Sequence, residues 1–264
     1  MHRRKLLKNL TLSGIGFAAT TAGLSFRASV LASNKTSKVH WGYIGEEGPG
    51  NWAKLSPEFS SCKSGRSQSP INIDSSAIGA DLPKLEVNYG NSPLKVINNG
   101  HTIQVNYEPG SFLSIDGESY ELVQFHFHHP SEHKIDDESF PMELHLVHQN
   151  HKGAFAVLGV LLKQGEENKT LESVWKAIPN TQKGKEVSSD VTINATNLLP
   201  TDLSSYRYHG SLTTPPCSEN VHWIVLQKPV EVSNLQVQTF AELFPMNARP
   251  IQSLNRRFLL RSQS

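Results

Sequence analysis

Three histidines in two short runs carry the chemistry that this chain has to offer. The first run is Gln124-Phe125-His126-Phe127-His128, and the second, after a polar loop, is Glu143-Leu144-His145-Leu146-Val147. Each alternates with period two, which predicts a pair of β-strands. Successive side chains on a strand point to opposite faces. Gln124, His126 and His128 therefore share one face, against Phe125 and Phe127. Glu143, His145 and Val147 share a face against Met142, Leu144 and Leu146. If the two strands pair, three imidazoles converge on one point. That is the donor set of a catalytic zinc site, with a fourth position left for water. A lone His-x-His is ordinarily a pair of solvated strand residues, so the company on these faces decides. Gln124 can accept a hydrogen bond from one imidazole and Glu143 from another, which is how a ligating ring has its tautomer and direction fixed. A Gln and a Glu aimed among three histidines would be costly in an ordinary core.

A series of landmarks surrounds these strands. In order they are Trp41-Gly42-Tyr43, Gln68-Ser69-Pro70-Ile71-Asn72-Ile73, Asn98-Asn99-Gly100-His101, the Gln124–His128 run, Ser131-Glu132-His133, Glu143–His148, and Ser211-Leu212-Thr213-Thr214-Pro215-Pro216. Together they resemble the α-class carbonic anhydrases, and the resemblance runs from about Trp41 to the C-terminal region. It implies Zn2+ on His126, His128 and His145, and reversible hydration of carbon dioxide to bicarbonate and a proton by zinc-bound hydroxide. It also implies that Glu132 accepts the proton of the Thr213 hydroxyl. That hydroxyl could then only accept a hydrogen bond, and would orient the attacking oxygen. His101 would be the proton shuttle, with Tyr43, Asn99 and Gln104 along the water path. Thr213 and Thr214, with a wall of Val147, Val157, Leu212, Val221 and Trp223, would hold the substrate. Without the resemblance, the wall residues read as ordinary core positions.

The elements that must position this chemistry are β-dominated. Many short β-like runs alternate with turn clusters such as Asn98-Asn99-Gly100 and Glu108-Pro109-Gly110, and no fixed-period repeat is evident. The resemblance implies a mainly β (α+β) fold: one large twisted, mostly antiparallel sheet with short peripheral helices. Two helices are readable directly. Leu171, Val174, Trp175 and Ile178 recur at helical spacing after Thr170 as N-cap, and Pro179 ends them. Val237, Phe240, Ala241 and Phe244 do the same after Ser233, up to Pro245. Both read as covers for the core.

Residues 1–32 read as an address. His2-Arg3-Arg4-Lys5-Leu6-Leu7-Lys8 is a basic run with a twin arginine, followed by an apolar stretch rich in small residues and by Val30-Leu31-Ala32. The pattern is that of a twin-arginine export signal cleaved near Ala32, which leaves residues 33–264 as one catalytic domain in the periplasm. The segment holds five of the 25 Lys and Arg and none of the 24 Asp and Glu, so the remainder carries 20 − 24 = −4. No basic stripe is left to suggest nucleic acid or an anionic membrane as partner. The expected partner is a small molecule, carbon dioxide or bicarbonate, with no membrane contact after cleavage. A homodimer stays open. Export favours a disulfide between the only two cysteines, Cys62 and Cys217. Bacterial members of the resembled family often carry such a bridge near these positions, and two buried thiols are the alternative. Two rival functions remain at this stage: a zinc-dependent esterase, and a non-catalytic binding module on the same fold.

Overall fold

The computed structural model describes residues 39–179 and 184–263; the expected export signal lies outside them. The histidine runs form two long neighbouring strands, Glu118–His128 and Met142–Gln149. They sit at the middle of a 13-stranded sheet. Across it the order is Glu186–Ile193, Ser92–Asn98, Ile103–Asn106, Glu118–His128, Met142–Gln149, Phe155–Gln164, Val221–Leu226, Ser205–Gly210, Leu260–Ser262 and Ile78–Ala80. Pairing is antiparallel through most of this path, but Phe155–Gln164 runs parallel to Val221–Leu226. A parallel pair needs a long crossover, and the intervening chain supplies one that includes a helix and the Ser205–Gly210 strand. The sheet is thus mixed where it walls the site.

The two faces bury different things. Phe125, Phe127, Leu144, Leu146 and Leu158 point to one side and join the larger apolar core. Each such side chain, fully buried, contributes about 1.5–3 kcal/mol. Helices Lys169–Lys176 and Asn234–Leu243 cover this side. Trp175 packs edge-on against Phe127 at 4.8 Å and stacks on Phe240 at 5.9 Å. The first of these helices begins two residues earlier than its apolar spacing suggests. Its N-cap is Asn168, whose Oδ1 accepts from the backbone N–H groups of Thr170 and Leu171, and Thr170 lies inside the helix. Asn outranks Thr as a cap because its carboxamide reaches those N–H groups more readily. The second helix is capped by Ser233, in a capping box with Gln236.

The opposite face carries the smaller apolar cluster of Val157, Val221, Trp223, Val225 and Tyr208, with Val147 and Leu212 packed on it. A second, three-stranded sheet of Asn72–Ile73, Lys134–Ile135 and Glu138–Ser139 ties the chain after Pro70 to the loop that links the histidine strands.

Candidate active site

Register brings the imidazoles together. His145 pairs directly with His126, and Glu143 with His128. The three ring centroids lie 5.1 Å (His126 to His128), 5.3 Å (His126 to His145) and 4.5 Å (His128 to His145) apart. One nitrogen of each ring is already engaged. His126 Nδ1 lies 2.8 Å from Gln124 Oε1, His128 Nδ1 lies 2.7 Å from the Asn247 carbonyl, and His145 Nε2 lies 3.0 Å from Glu143 Oε1. All three partners are oxygens that accept, so those ring nitrogens carry the protons. Nε2 of His126, Nε2 of His128 and Nδ1 of His145 are left as lone pairs facing one centre.

Those lone pairs suit a cation. One ligand atom from each of the three residues falls within 4.8 Å of the others. His128 and His145 are 1 % exposed, and His128 Nε2 has no hydrogen-bond partner. A buried, unpartnered nitrogen is expensive unless something binds it. Burial, reinforced by the neighbouring rings, holds the His126 pKa well below the usual imidazole value, and burial pushes His128 down to about 4. Neutral rings are what a metal needs, since a protonated ring cannot ligate. A second grouping, His133, Glu143 and His145, also lies within ligand spacing. Its atoms are spent on one another: His133 Nδ1 lies 2.8 Å from Glu143 Oε1, and His133 Nε2 lies 2.7 Å from the Tyr208 hydroxyl.

Glu143 is the hub of this network. Its Oε2 accepts from the backbone N–H groups of Glu132 and His133 at 2.9 and 2.8 Å. Its Oε1 serves His133 and His145. Burial alone would raise this carboxyl, but His133 and His145 hold it well below the usual range. Space for it comes from Gly159, which pairs with His145 on the next strand. A Cβ at Gly159 would stand 3.0 Å from Glu143 Oε1.

Glu132 is buried in the loop between the histidine strands. Its Oε1 accepts from the Arg249 backbone N–H at 2.8 Å. Its Oε2 faces the centre, 3.5 Å from His128 Nε2 and 3.9 Å from His145 Nδ1, with no hydrogen-bond partner. Burial pushes the Glu132 carboxyl up to about 7, while His145, the Arg249 N–H and the adjacent Thr213 side chain pull it down. Thr213 is itself buried, and Thr214 and Leu212 beside it are half-buried. The loop that carries them is anchored at its far end by the Cys62–Cys217 disulfide, with Cα atoms 5.0 Å apart. Val147, Val157, Leu212, Val221 and Trp223 fall into one apolar cluster on this face, and the Trp223 ring stands 4.8 Å from that of His145.

His101 follows a tight turn with Gly100 at φ +88°, a value that suits glycine. Asn99 Oδ1 accepts from the backbone N–H groups of His101 and Thr102, and Asn99 Nδ2 donates to Gln104 Oε1 at 3.2 Å. The His101 ring stacks on Trp41 at 3.7 Å and 4°. Tyr43 lies edge-on to Trp41 at 5.6 Å, and its hydroxyl pKa is raised by burial and then by the charge of Glu132.

Sequence reasoning missed several groups. His133 and His148 are fully buried, and each has a hydrogen-bonded partner in the interior. Asn247 and Arg249 gave no signal, because they act partly through main-chain atoms more than 100 residues away from their partners.

A sequence profile of the eukaryotic-type carbonic anhydrase family matches residues 47–263. A carbonic anhydrase of Nostoc sp. is 44% identical, across 98% of this chain and 97% of its own length. One from Pectobacterium carotovorum is 45% identical, across 87% of this chain and 94% of its own. Among solved structures, the α-carbonic anhydrase from Thermovibrio ammonificans, in complex with the inhibitor sulfanilamide, matches with a TM-score of 0.82 at 45% identity. That match covers 84% of this chain and 99% of that one.

Proposed function

From a chain that belongs to the eukaryotic-type, or α, carbonic anhydrase family, we propose an enzyme that hydrates carbon dioxide reversibly with Zn2+ held by His126, His128 and His145. The observation that carries this reading is the set of three unengaged ring nitrogens facing one centre, one of them buried without a partner. Zn2+ on three neutral imidazoles acidifies its water to a pKa of about 7, a value taken from carbonic anhydrase itself.

The chain's own groups do the rest. Gln124, Glu143 and the Asn247 carbonyl hold one proton on the outer nitrogen of each ring, so the inner nitrogens stay lone pairs. Thr213 gives its hydroxyl proton to Glu132, and is left able only to accept from the reacting water. That fixes which lone pair of the water's oxygen faces the substrate. The backbone N–H of Thr213, with Thr214 beside it, holds an oxygen of bicarbonate. The wall of Val147, Val157, Leu212, Val221 and Trp223 offers a small apolar surface that suits uncharged carbon dioxide. His101, at the turn outside this wall, carries the released proton to bulk solvent, because an imidazole both takes and gives a proton near neutrality. Tyr43, Asn99 and Gln104 order the water between.

Stopped-flow carbon dioxide hydration, run with and without a zinc chelator, tests the reading. Activity should vanish with chelation and return with zinc, and His145→Ala should lose both metal and rate. A protein that is native and active without metal would overturn it. Catalytic efficiency on a panel of esters, set beside that on carbon dioxide, separates the hydratase from an esterase.

The same reading places the enzyme in the periplasm, after cleavage of a twin-arginine signal in residues 1–32. The Cys62–Cys217 bridge supports an oxidising compartment, and no helix among the described residues is long and apolar enough to cross a membrane. N-terminal sequencing of protein recovered from the periplasm should begin near Ser33; an intact Met1 there would refute the signal.

A further inference from the structure

A second pair of imidazoles stands on the far side of the sheet. Strands Ser205–Gly210 and Val221–Leu226 pair antiparallel, with His209 directly opposite His222. Their neighbours Tyr208 and Trp223 also pair, and these point toward the apolar cluster beside His145. Alternation therefore puts His209 and His222 on the opposite face, away from the triad. Their ring centroids are 4.8 Å apart. The triad provides a ruler within the same molecule, since its rings are separated by 4.5 to 5.3 Å. The His209–His222 spacing falls inside that span.

The surroundings leave the pair within reach of solvent. His209 is exposed and His222 half-buried. Two protonated rings directly opposite each other would repel. Burial, with the nearby His209 ring, pushes the His222 pKa down to about 4, against a smaller opposing pull from Asp116. Two charged groups, Asp116 and Arg207, act on the pair. Asp116 lies on the turn between strands Phe112–Ile115 and Glu118–His128, and its Oδ1 is 3.6 Å from Arg207 Nη1. Arg207 also weighs on His222, while Arg257 donates to the His209 carbonyl at 3.0 Å with its guanidinium over the Tyr208 ring, on the other face. Arg207 weakens any cation held here, and Asp116 offsets part of that. Among the described residues, neither ring has the fixed acceptor behind it that each triad ring has.

We propose that His209 and His222 form a second, solvent-accessible site for a borderline divalent cation, Cu2+, Ni2+ or Zn2+. Two imidazoles would hold it and water would complete its shell. Imidazole suits these ions, and without an outer hydrogen-bond partner for either ring the site is weak and exchangeable. It is independent of the reading of the triad.

The test uses full-length protein with the triad loaded with zinc, titrated with Cu2+ and followed by calorimetry and electron paramagnetic resonance. The parent should take one added equivalent with two imidazole nitrogens on copper. His209→Gln and His222→Gln should each weaken that equivalent roughly tenfold or more and leave one nitrogen. Ni2+ should raise the melting temperature of the parent and not of the double variant. Hydration rates without added copper or nickel should match the parent in every variant. A double variant that binds Cu2+ like the parent, or a parent that takes none, overturns the proposal. Because His209 is exposed, the His209→Gln result stands even if substitution at His222 disturbs folding.

Discussion

Replacing Glu143 by Gln keeps the shape of the side chain and changes only which atoms donate. The carboxylate is fully buried and accepts four hydrogen bonds, two from backbone N–H groups on Oε2 and two from imidazoles on Oε1. An amide has one accepting oxygen and one donating NH2. If the NH2 turns toward Glu132 and His133, two buried backbone N–H groups lose their acceptor. Each such loss costs roughly 1–3 kcal/mol, so this arrangement costs about 2–6 kcal/mol of stability. If the NH2 turns toward the rings, His133 and His145 must each move a proton to the other nitrogen. For His145 that is Nδ1, the atom that faces the proposed metal centre, and a protonated nitrogen cannot ligate.

The second arrangement spares the backbone and should win. Loss of a partner behind a ligating ring weakens metal binding by about 10–100-fold, which is roughly 1.4–2.8 kcal/mol and less than the upper part of the first cost. Competition with a chelator of known affinity measures the zinc constant, and thermal melts of metal-free protein measure the fold. Glu143→Gln should lose zinc affinity by that factor with a smaller effect on the metal-free melt. A variant that holds zinc within about twofold of the parent would refute the assignment of the His145 tautomer.

Other outcomes follow from the same structure. His148 lies with Nε2 2.6 Å from the Tyr89 hydroxyl and Nδ1 3.2 Å from the Ala156 carbonyl, and burial pushes its pKa down to about 4. Unfolded, the ring titrates near 6.5, so its share of stability is whole above about pH 6.5. It falls as pH drops toward about 4, by about 3 kcal/mol in all. Urea unfolding across that window should show a flatter slope in His148→Gln, and an equal slope would count against this assignment. Cys62→Ser opens a loop with a sequence separation of 155; chain entropy sets the loss at up to about 5 kcal/mol, read from the denaturation midpoint against the oxidised parent. His101→Ala should slow hydration in weak buffer by roughly tenfold or more and recover in imidazole buffers, since proton transfer by a placed side chain is worth at least that much. Unchanged turnover in weak buffer would remove the shuttle.

How far the sequence shows the site depends on which atoms do the holding. Gln124 and Glu143 stand two residues before His126 and His145, so strand alternation alone puts each beside its ring. Register was out of reach: that His145 faces His126, and not its neighbour two residues away, depends on the path of the linking loop and its small sheet. Ser131-Glu132-His133 reads as a solvated loop by composition. It is buried because the Glu143 carboxylate takes its backbone N–H groups and the interior supplies its remaining partners. The helix after Gln164 was visible from its apolar spacing, but its start was set by Asn168, a capping residue outside the apolar pattern.

The third support for the histidine triad shows why periodicity could not have found everything. His128 gives its Nδ1 proton to a backbone carbonyl, and every residue has one. The identity of position 247 matters for a different reason. The Asn247 side chain donates through Nδ2 to the carbonyls of Phe127 and His101 and accepts through Oδ1 from the His129 N–H. A single carboxamide thus straddles the end of the first histidine strand and the turn that bears His101. Its bonds fix where its own carbonyl points, and so fix the third ring. Glu132 is held in like manner, through the Arg249 N–H two residues on, while the Arg249 guanidinium grips the carbonyls of Ser69 and Cys62. The irregular segment at 247–249 reaches the site through hydrogen bonds to its histidine strand and its Glu132 loop. It works as a brace, joining the histidine triad, the Glu132 loop and the disulfide-bearing segment.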